Sequence, residues 1–234
     1  MLPQANIVLP CYQPPSNWWS ALLSFNAFIC PHYTIHYIVV NDGGDSTQIE
    51  KTIADLTAKG ISIELHGYQK NRGKGYALRT GVKLSKAPVT LYTDIDFPFT
   101  NESTKSVLDQ LVANQADVVA GFRNQSYYAG TISPFRRLLS KTFRGFLTKV
   151  LKLPMADTQC GLKAFNENGR QRFLSTTIDR YLFDFEFIYG ACRDKQCKLL
   201  TTEVTLKPDI VFRKMKLKIL LQEGFNLLRV LLKG

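Results

Sequence analysis

Along its first half the chain alternates short apolar runs with longer stretches in which apolar residues recur every three or four positions. The runs Ala5 to Leu9, Ile35 to Asn41, Ile61 to His66, Val89 to Thr93 and Asp117 to Ala120 predict β-strands. Helix starts are predicted between them, at Ser16 or Asn17 before Trp18, at Asp45 or Ser46 before Thr47, and at Asn101 with Ser103 before Val107 to Leu111. A further helical stretch runs from Tyr76 to Leu84. This alternation predicts an α/β domain whose mostly parallel central sheet is flanked by helices. Such sheets bind ligands at the carboxyl ends of their strands, so the polar residues that follow each strand are the first to question.

The second half has a different flavour. From Ser133 to about Lys152 the spacing predicts a helix with six basic residues and no acidic one. At roughly 100° per residue, Phe135, Leu138, Leu139, Phe143, Phe146, Leu147 and Val150 gather on one face, opposite Arg137, Lys141, Arg144 and Lys152. Arg136 leans to the flank of the apolar face, one turn before Ser140, and is expected to face the protein. A last amphipathic stretch, Lys214 to Lys233, sets Leu217, Leu220, Leu221, Leu228, Leu231 and Leu232 against Lys216, Lys218, Arg229 and Lys233. Two roles suit it equally, lying on a membrane surface or docking on the core. We therefore divide the chain into an α/β domain over 1–210 and a basic amphipathic C-terminal helix over 211–234.

Bulk properties narrow the class. The 234 residues are enough for one sizeable core, and 45% hydrophobic with 21% charged residues is ordinary globular composition. No apolar run approaches the roughly 20 residues that cross a bilayer. The five cysteines are widely spaced with no C-x-x-C pair, and no signal-like segment opens the chain; reduced thiols in a cytoplasmic setting are expected. Thirty basic against 19 acidic residues leave a net charge of +11, which calls for a polyanionic partner.

The chemistry-bearing residues sit where the strands end. Asp94 and Asp96, two positions apart after the Val89 to Thr93 strand, present the hard oxygen donors that Mg²⁺ or Mn²⁺ shares with a diphosphate. Asn41-Asp42-Gly43-Gly44-Asp45 follows the second strand, and there Asp42 offers a carboxylate to a base N–H; a capped turn is the plainer account of the same residues. Asn71-Arg72-Gly73-Lys74-Gly75 precedes a helix, so free backbone N–H groups and Lys74 can meet an anion. The spacing is not that of a Walker loop. Arg123 after the fifth strand offers a cation for phosphate or carboxylate. Asp157-Thr158-Gln159-Cys160-Gly161 is a compact polar turn suited to lining a cleft.

Taken in order, these segments resemble the inverting glycosyltransferase family 2, with its GT-A fold, and within it the branch acting on dolichyl and other polyprenyl phosphates. The matching pieces are Ile7 to Tyr12, Val39 to Gly44, Asn71 to Gly81, Asp94 to Asp96, Gly121 to Arg123 and Asp157 to Phe165. The resemblance implies that Pro10, Tyr12 and Asp42 hold base and ribose and that Lys74 lies near the nucleotide. It implies that Asp94 contacts ribose or sugar while Asp96, with Asp94, serves the metal. Arg123, Arg136 and Ser140 are implied at donor or acceptor phosphates, and Asp157 and Gln159 on the sugar and acceptor side. Two positions depart from the pattern: Gln13-Pro14-Pro15 stands where the family has Asn-Glu after the tyrosine, and Asn41 replaces an acidic residue.

The implied reaction moves a hexose from a UDP- or GDP-linked sugar to a polyprenyl phosphate, or alternatively to a sugar hydroxyl of a glycan, with Mg²⁺ or Mn²⁺ as cofactor. A phosphate acceptor is already ionised near neutrality and needs no base, whereas a hydroxyl acceptor makes Asp157 the candidate base. The basic segments are expected to seat the protein peripherally on the cytoplasmic face of an anionic membrane. A nucleic-acid binder is disfavoured, because the basic clusters lack interleaved aromatics. A relative that binds nucleotide sugar without transferring it remains the other alternative.

Overall fold

The computed structural model describes residues 1–123, 145–208 and 217–233. A seven-stranded sheet has the order β3-β2-β1-β4-β6-β5-β7. Its strands are β1 (Gln4–Cys11), β2 (Thr34–Asp42), β3 (Ile63–Tyr68), β4 (Val89–Tyr92), β5 (Val118–Arg123), β6 (Lys163–Phe165) and β7 (Leu199–Val204). All but β6 run the same way; β6 pairs antiparallel with both β4 and β5. The helices are α1 (Trp18–Ile29), α2 (Thr47–Ala58), α3 (Lys74–Leu84), α4 (Asn101–Asn114), α5 (Glu167–Leu174), α6 (Phe183–Arg193) and α7 (Leu217–Lys233).

Alternation along the strands divides the core in two. Ile7, Leu9, Tyr37, Val39 and Leu91 pack beneath α1, α2 and α4, whereas Val8, Ile38, Val40 and Tyr92 pack beneath α3, α5 and α6. Both faces of the sheet are therefore covered, which is why its parallel strands read as continuous apolar runs. The mostly parallel α/β sandwich is present, and the five expected strands lie within three residues of their predicted limits, the fifth running on from Ala120 to Arg123.

Two strands escaped the pattern, each for a physical reason. β6 has only three residues and begins with a charged one, Lys163, which is nonetheless fully buried. β7 lies at the sheet edge with partly exposed, mixed polarity. The basic segment predicted as a helix falls largely outside the described residues; its end, Phe146–Val150, is a π-helical turn.

Chain direction fixes where a ligand fits. From β1 the chain winds outward to β2 and β3, then returns to the other side of β1 as β4. The carboxyl ends of β1 and β4 thus form the topological switch point, the place where open sheets of this kind bind ligands. β4 ends at Tyr92 and leads directly into Asp94 and Asp96.

Phe97 secures that turn. Its N–H donates to the Asp94 carbonyl at 3.0 Å, its φ of 46° lies in the left-handed region, and its ring is 1% exposed. The ring stacks on Phe25 at 5.2 Å and meets Tyr37 edge-on at 6.4 Å. Left-handed backbone at a bulky residue costs on the order of 1 kcal/mol. Burying a phenylalanine outweighs that, so the ring holds the two carboxylates outward. Phe97→Ala is expected to lower stability by about 3–5 kcal/mol, read as a reduced urea midpoint with an unchanged m-value.

Over its described side chains, the C-terminal helix docks on the core by one face. Val230 is buried, with Leu227 and Leu231 partly buried beside it, while Phe225, Leu228 and Leu232 are 74%, 57% and 86% exposed. The single apolar face expected from spacing is thereby split, since Leu231 turns inward while Leu228 and Leu232 do not. No helix among the described residues is long and apolar enough to cross a membrane.

Candidate active site

Asp94 and Asp96 lie half-buried at the end of β4, and two cations attend them. Lys74, the first residue of α3, puts its Nζ 2.5 Å from Asp94 Oδ1. Burial alone would lower the Lys74 pKa, but Asp94 and the more distant Asp184 hold it above its ordinary value. Asp96 is raised, first by burial and then by the Asp94 carboxylate. Lys207 lies close enough to Asp96 to interact with it, and burial lowers its own pKa. The Lys207 N–H donates to the Pro98 carbonyl at 2.8 Å, beside an antiparallel bridge between Phe99 and Leu206.

The donor set fits a hard divalent cation. Two adjacent carboxylates offer hard oxygen donors, one of them already paired with Lys74. The buried Thr93 hydroxyl next to them has no hydrogen-bond partner. Among the described residues no group of three or more His, Cys, Asp or Glu forms a metal cage. A cation taking two carboxylates therefore needs further oxygens from a ligand, as Mg²⁺ does with diphosphates.

Glycines bring the neighbouring loops close. A Cβ on Gly161 would stand 3.1 Å from Asp94 Oδ2 and 3.3 Å from Lys74 Nζ, so the backbone of the Asp157-to-Gly161 turn forms one wall of the site. A Cβ on Gly75 would fall 2.4 Å from the Ile178 carbonyl, which lets the 176–182 loop sit on the first turn of α3. Buried Arg79 fastens that loop by donating to the Ile178 carbonyl at 2.8 Å and pairing with Asp179. The loop also carries Tyr181, half-exposed and near enough to Lys74 to influence it.

Asp42, at the end of β2, has a fuller set of partners than its sequence context suggested. Oδ1 accepts from the Tyr68 hydroxyl at 2.6 Å and the Arg72 N–H at 2.8 Å; Oδ2 accepts from Asn71 Nδ2 at 2.9 Å and the Gly73 N–H at 3.0 Å. This carboxylate organises the loop before α3, and a base N–H reaching it meets oxygens that already have donors. Pro10 and the 47%-exposed Tyr12 stand at the adjacent end of β1.

Arg123 and Asp157, expected at phosphate and sugar, hold each other. Asp157 Oδ2 accepts from Arg123 Nε at 2.7 Å and from its N–H at 3.0 Å, while Oδ1 accepts from Nη2 at 2.8 Å. Asp157 is largely buried, which on its own would raise its pKa, but the Arg123 hydrogen bonds and charge bring it below the ordinary carboxylate value. A general base works best with a pKa near the operating pH. Asp157 has been moved the other way. Gln159 is exposed at the tip of the same turn. Arg136 and Ser140 lie outside the described residues.

Behind this wall is a set of residues the motifs did not announce. Fully buried Lys163 donates to the Cys160 carbonyl at 2.6 Å and to Asp184 Oδ1 at 2.7 Å; the Tyr92 hydroxyl donates to the same Oδ1 at 2.5 Å. Burial first, and Asp184 second, push Tyr92 well above the ordinary phenol range, so its hydroxyl keeps its proton. In the sequence Lys163 is one residue of the Asp157 to Phe165 motif, and nothing local distinguishes Asp184 from any other acidic residue.

Residues 6–170 match the glycosyl transferase family 2 profile. The chain belongs to that family. Among relatives of this family 2 chain, a dolichyl-phosphate beta-glucosyltransferase of Drosophila melanogaster is 28% identical over 220 residues, covering 87% of this chain and 66% of its own. The Homo sapiens dolichyl-phosphate beta-glucosyltransferase is 32% identical over 171 residues, covering 69% and 52%. The chain thus spans between about half and about two thirds of the length of these relatives.

Solved structures agree on the fold. Glucosyl-3-phosphoglycerate synthase from Mycobacterium tuberculosis, in complex with Mn²⁺, UDP and phosphoglyceric acid, superposes with a TM-score of 0.65 at 15% identity, covering 99% of this chain and 78% of that one. A Pyrobaculum calidifontis mannosyltransferase in complex with GDP-Man and Mn²⁺ gives 0.59 at 15% identity, covering 89% and 58%. At such identities the likeness speaks for the GT-A fold of family 2 alone.

Two outcomes test the geometry. Asp42→Ala strands four donors and is expected to cost at least ~2 kcal/mol in urea unfolding, since bonds to a charged acceptor are each worth about 1.5–3. Asp157, lowered when folded, contributes stability that is present above its unfolded pKa of about 3.9 and lost as pH falls through the folded value. Asp157→Asn should therefore show a shallower loss of stability between about pH 4 and pH 2 than the parent in urea titrations at stepped pH.

Proposed function

We propose that this family 2 chain transfers glucose from a nucleotide sugar to a polyprenyl phosphate of the dolichyl type at a membrane surface. The observation that carries the reading is the acidic pair Asp94 and Asp96 at the switch point, flanked by Lys74, in a chain whose relatives are dolichyl-phosphate beta-glucosyltransferases. In the reaction an acceptor phosphate oxygen attacks the anomeric carbon as the bond to the nucleoside diphosphate breaks and that group departs with the electron pair. A divalent cation held by Asp94 and Asp96 supplies charge neutralisation at the diphosphate. Lys74 adds a fixed positive charge on the same side, at the N-terminus of α3 where backbone N–H groups already favour anions. Pro10, Tyr12 and Asp42 line the nucleoside end. Arg136 and Ser140 are assigned to phosphate, and Gln159 to the acceptor side.

A phosphate acceptor is favoured over a sugar hydroxyl by the state of Asp157. Its carboxylate is engaged by Arg123 and its pKa is lowered, which makes it a poor proton acceptor. An acceptor that arrives ionised asks for none. We place the protein peripherally on the cytoplasmic face of an anionic membrane, with the exposed Phe225, Leu228 and Leu232 of α7 meeting the acyl boundary and Arg229 the headgroups. The net charge of +11 draws the chain to such a surface.

The test is turnover of UDP-glucose, UDP-galactose, GDP-glucose and GDP-mannose with Mn²⁺ or Mg²⁺, against polyprenyl phosphates in anionic vesicles and against soluble sugars, with product identification. Glucosyl phosphoprenol is the expected product. Asp96→Ala should lower kcat by about a thousandfold while the protein stays folded, and chelation should abolish turnover of the parent. Transfer to a soluble sugar with every lipid phosphate refused would overturn the acceptor assignment.

A further inference from the structure

The buried ion pair behind the site has no evident task in stability. Lys163 is 0% and the Asp184 side chain 5% exposed, and desolvating two such charges offsets most of their attraction. An apolar pair of similar volume holds a core at least as well. What the ion pair adds is direction. Asp184 Oδ1 receives Lys163 from β6 and Tyr92 from β4, two strands that pair at those residues. Lys163 in turn fixes the Cys160 carbonyl. The next residue is Gly161, where an added Cβ would stand 3.1 Å from Asp94 Oδ2 and 3.3 Å from Lys74 Nζ, while Tyr92 lies two positions before Asp94.

We propose that Asp184 is a positioning residue for the transfer reaction, acting through Lys163 and Tyr92 to hold the Cys160-Gly161 backbone against Asp94 and Lys74. The inference rests on the function assigned above. One carboxylate oxygen sets both the strand that delivers the acidic pair and the turn that walls it, with α6 as the anchor. Groups that orient the residues around a metal or diphosphate by a second layer of hydrogen bonds typically affect activity about 10- to 100-fold without touching substrate.

Three variants separate positioning from plain stability. Asp184→Ala alone leaves Lys163 buried and uncompensated, and is expected to destabilise. Asp184→Leu combined with Lys163→Met removes both charges and is expected to restore the unfolding midpoint. If Asp184 positions the site, the restored double variant still loses about 10- to 100-fold in kcat with little change in KM for UDP-glucose. Its Gly161 and Leu162 amides should also exchange with deuterium about tenfold faster than in the parent at equal global stability. Tyr92→Phe, which keeps the ring and removes one donor, serves if the double variant does not fold, and is expected to lower kcat about threefold with the same local loosening. A stable variant with parental kcat, or with unchanged exchange at Gly161 and Leu162, overturns the proposal. If the parent itself turns over none of the nucleotide sugars, the functional reading fails, and amide exchange still decides whether Asp184 positions the turn.

Discussion

Two carboxylates held two residues apart at the mouth of a tightly packed sheet repel each other and resist burial. Much of the surrounding structure answers that constraint. Lys74 comes from the helix laid over β1 and β2, Lys207 from the segment that bridges back beside Phe99, and backbone from the turn ending at Gly161. Even so, burial first and the neighbouring Asp94 second leave the Asp96 pKa raised. Under the proposed function, a divalent cation and the diphosphate oxygens it brings would complete the balance around the pair. Phe97 supplies the mechanical half of the answer by sinking its ring into the core, so that the repelling side chains cannot relax by moving the turn.

How much of this was legible in the sequence depended on the range of the interaction. Strands such as Ile35 to Asn41 and helix starts such as Ser46 and Asn101 are set by neighbours along the chain, and periodicity located them. The acidic pair was legible because it sits immediately after a strand. Pairings across long separations were not. Arg123 and Asp157 are 34 residues apart, and each had been read as facing ligand. Asp42 and its donors are about 30 apart, so a carboxylate that organises a loop looked like one free for a base. Lys163 was not legible either, because nothing local in the chain marks a lysine in a three-residue strand as one that is fully buried.

The helix α7 shows why composition alone left two readings of the C-terminus open. Its inner edge docks through Val230, Leu227 and Leu231, and Glu223 accepts from the Leu182 N–H at 3.0 Å, capping α6 from outside. Its outer edge keeps Phe225, Leu228 and Leu232 in solvent. Leucine on both sides of one helix satisfies both patterns at once. Only the placement of each residue separates them.

The four donors gathered by Asp42 have a thermodynamic consequence. They fix Tyr68, Asn71, Arg72 and Gly73 before any ligand arrives, so the conformational entropy of that loop is lost during folding rather than on binding. Under the proposed function, a nucleoside entering beside this wall would meet a preformed surface and bear little ordering cost. Its affinity is then set by contact and desolvation, and its heat-capacity change reflects the area covered rather than a loop folding around it.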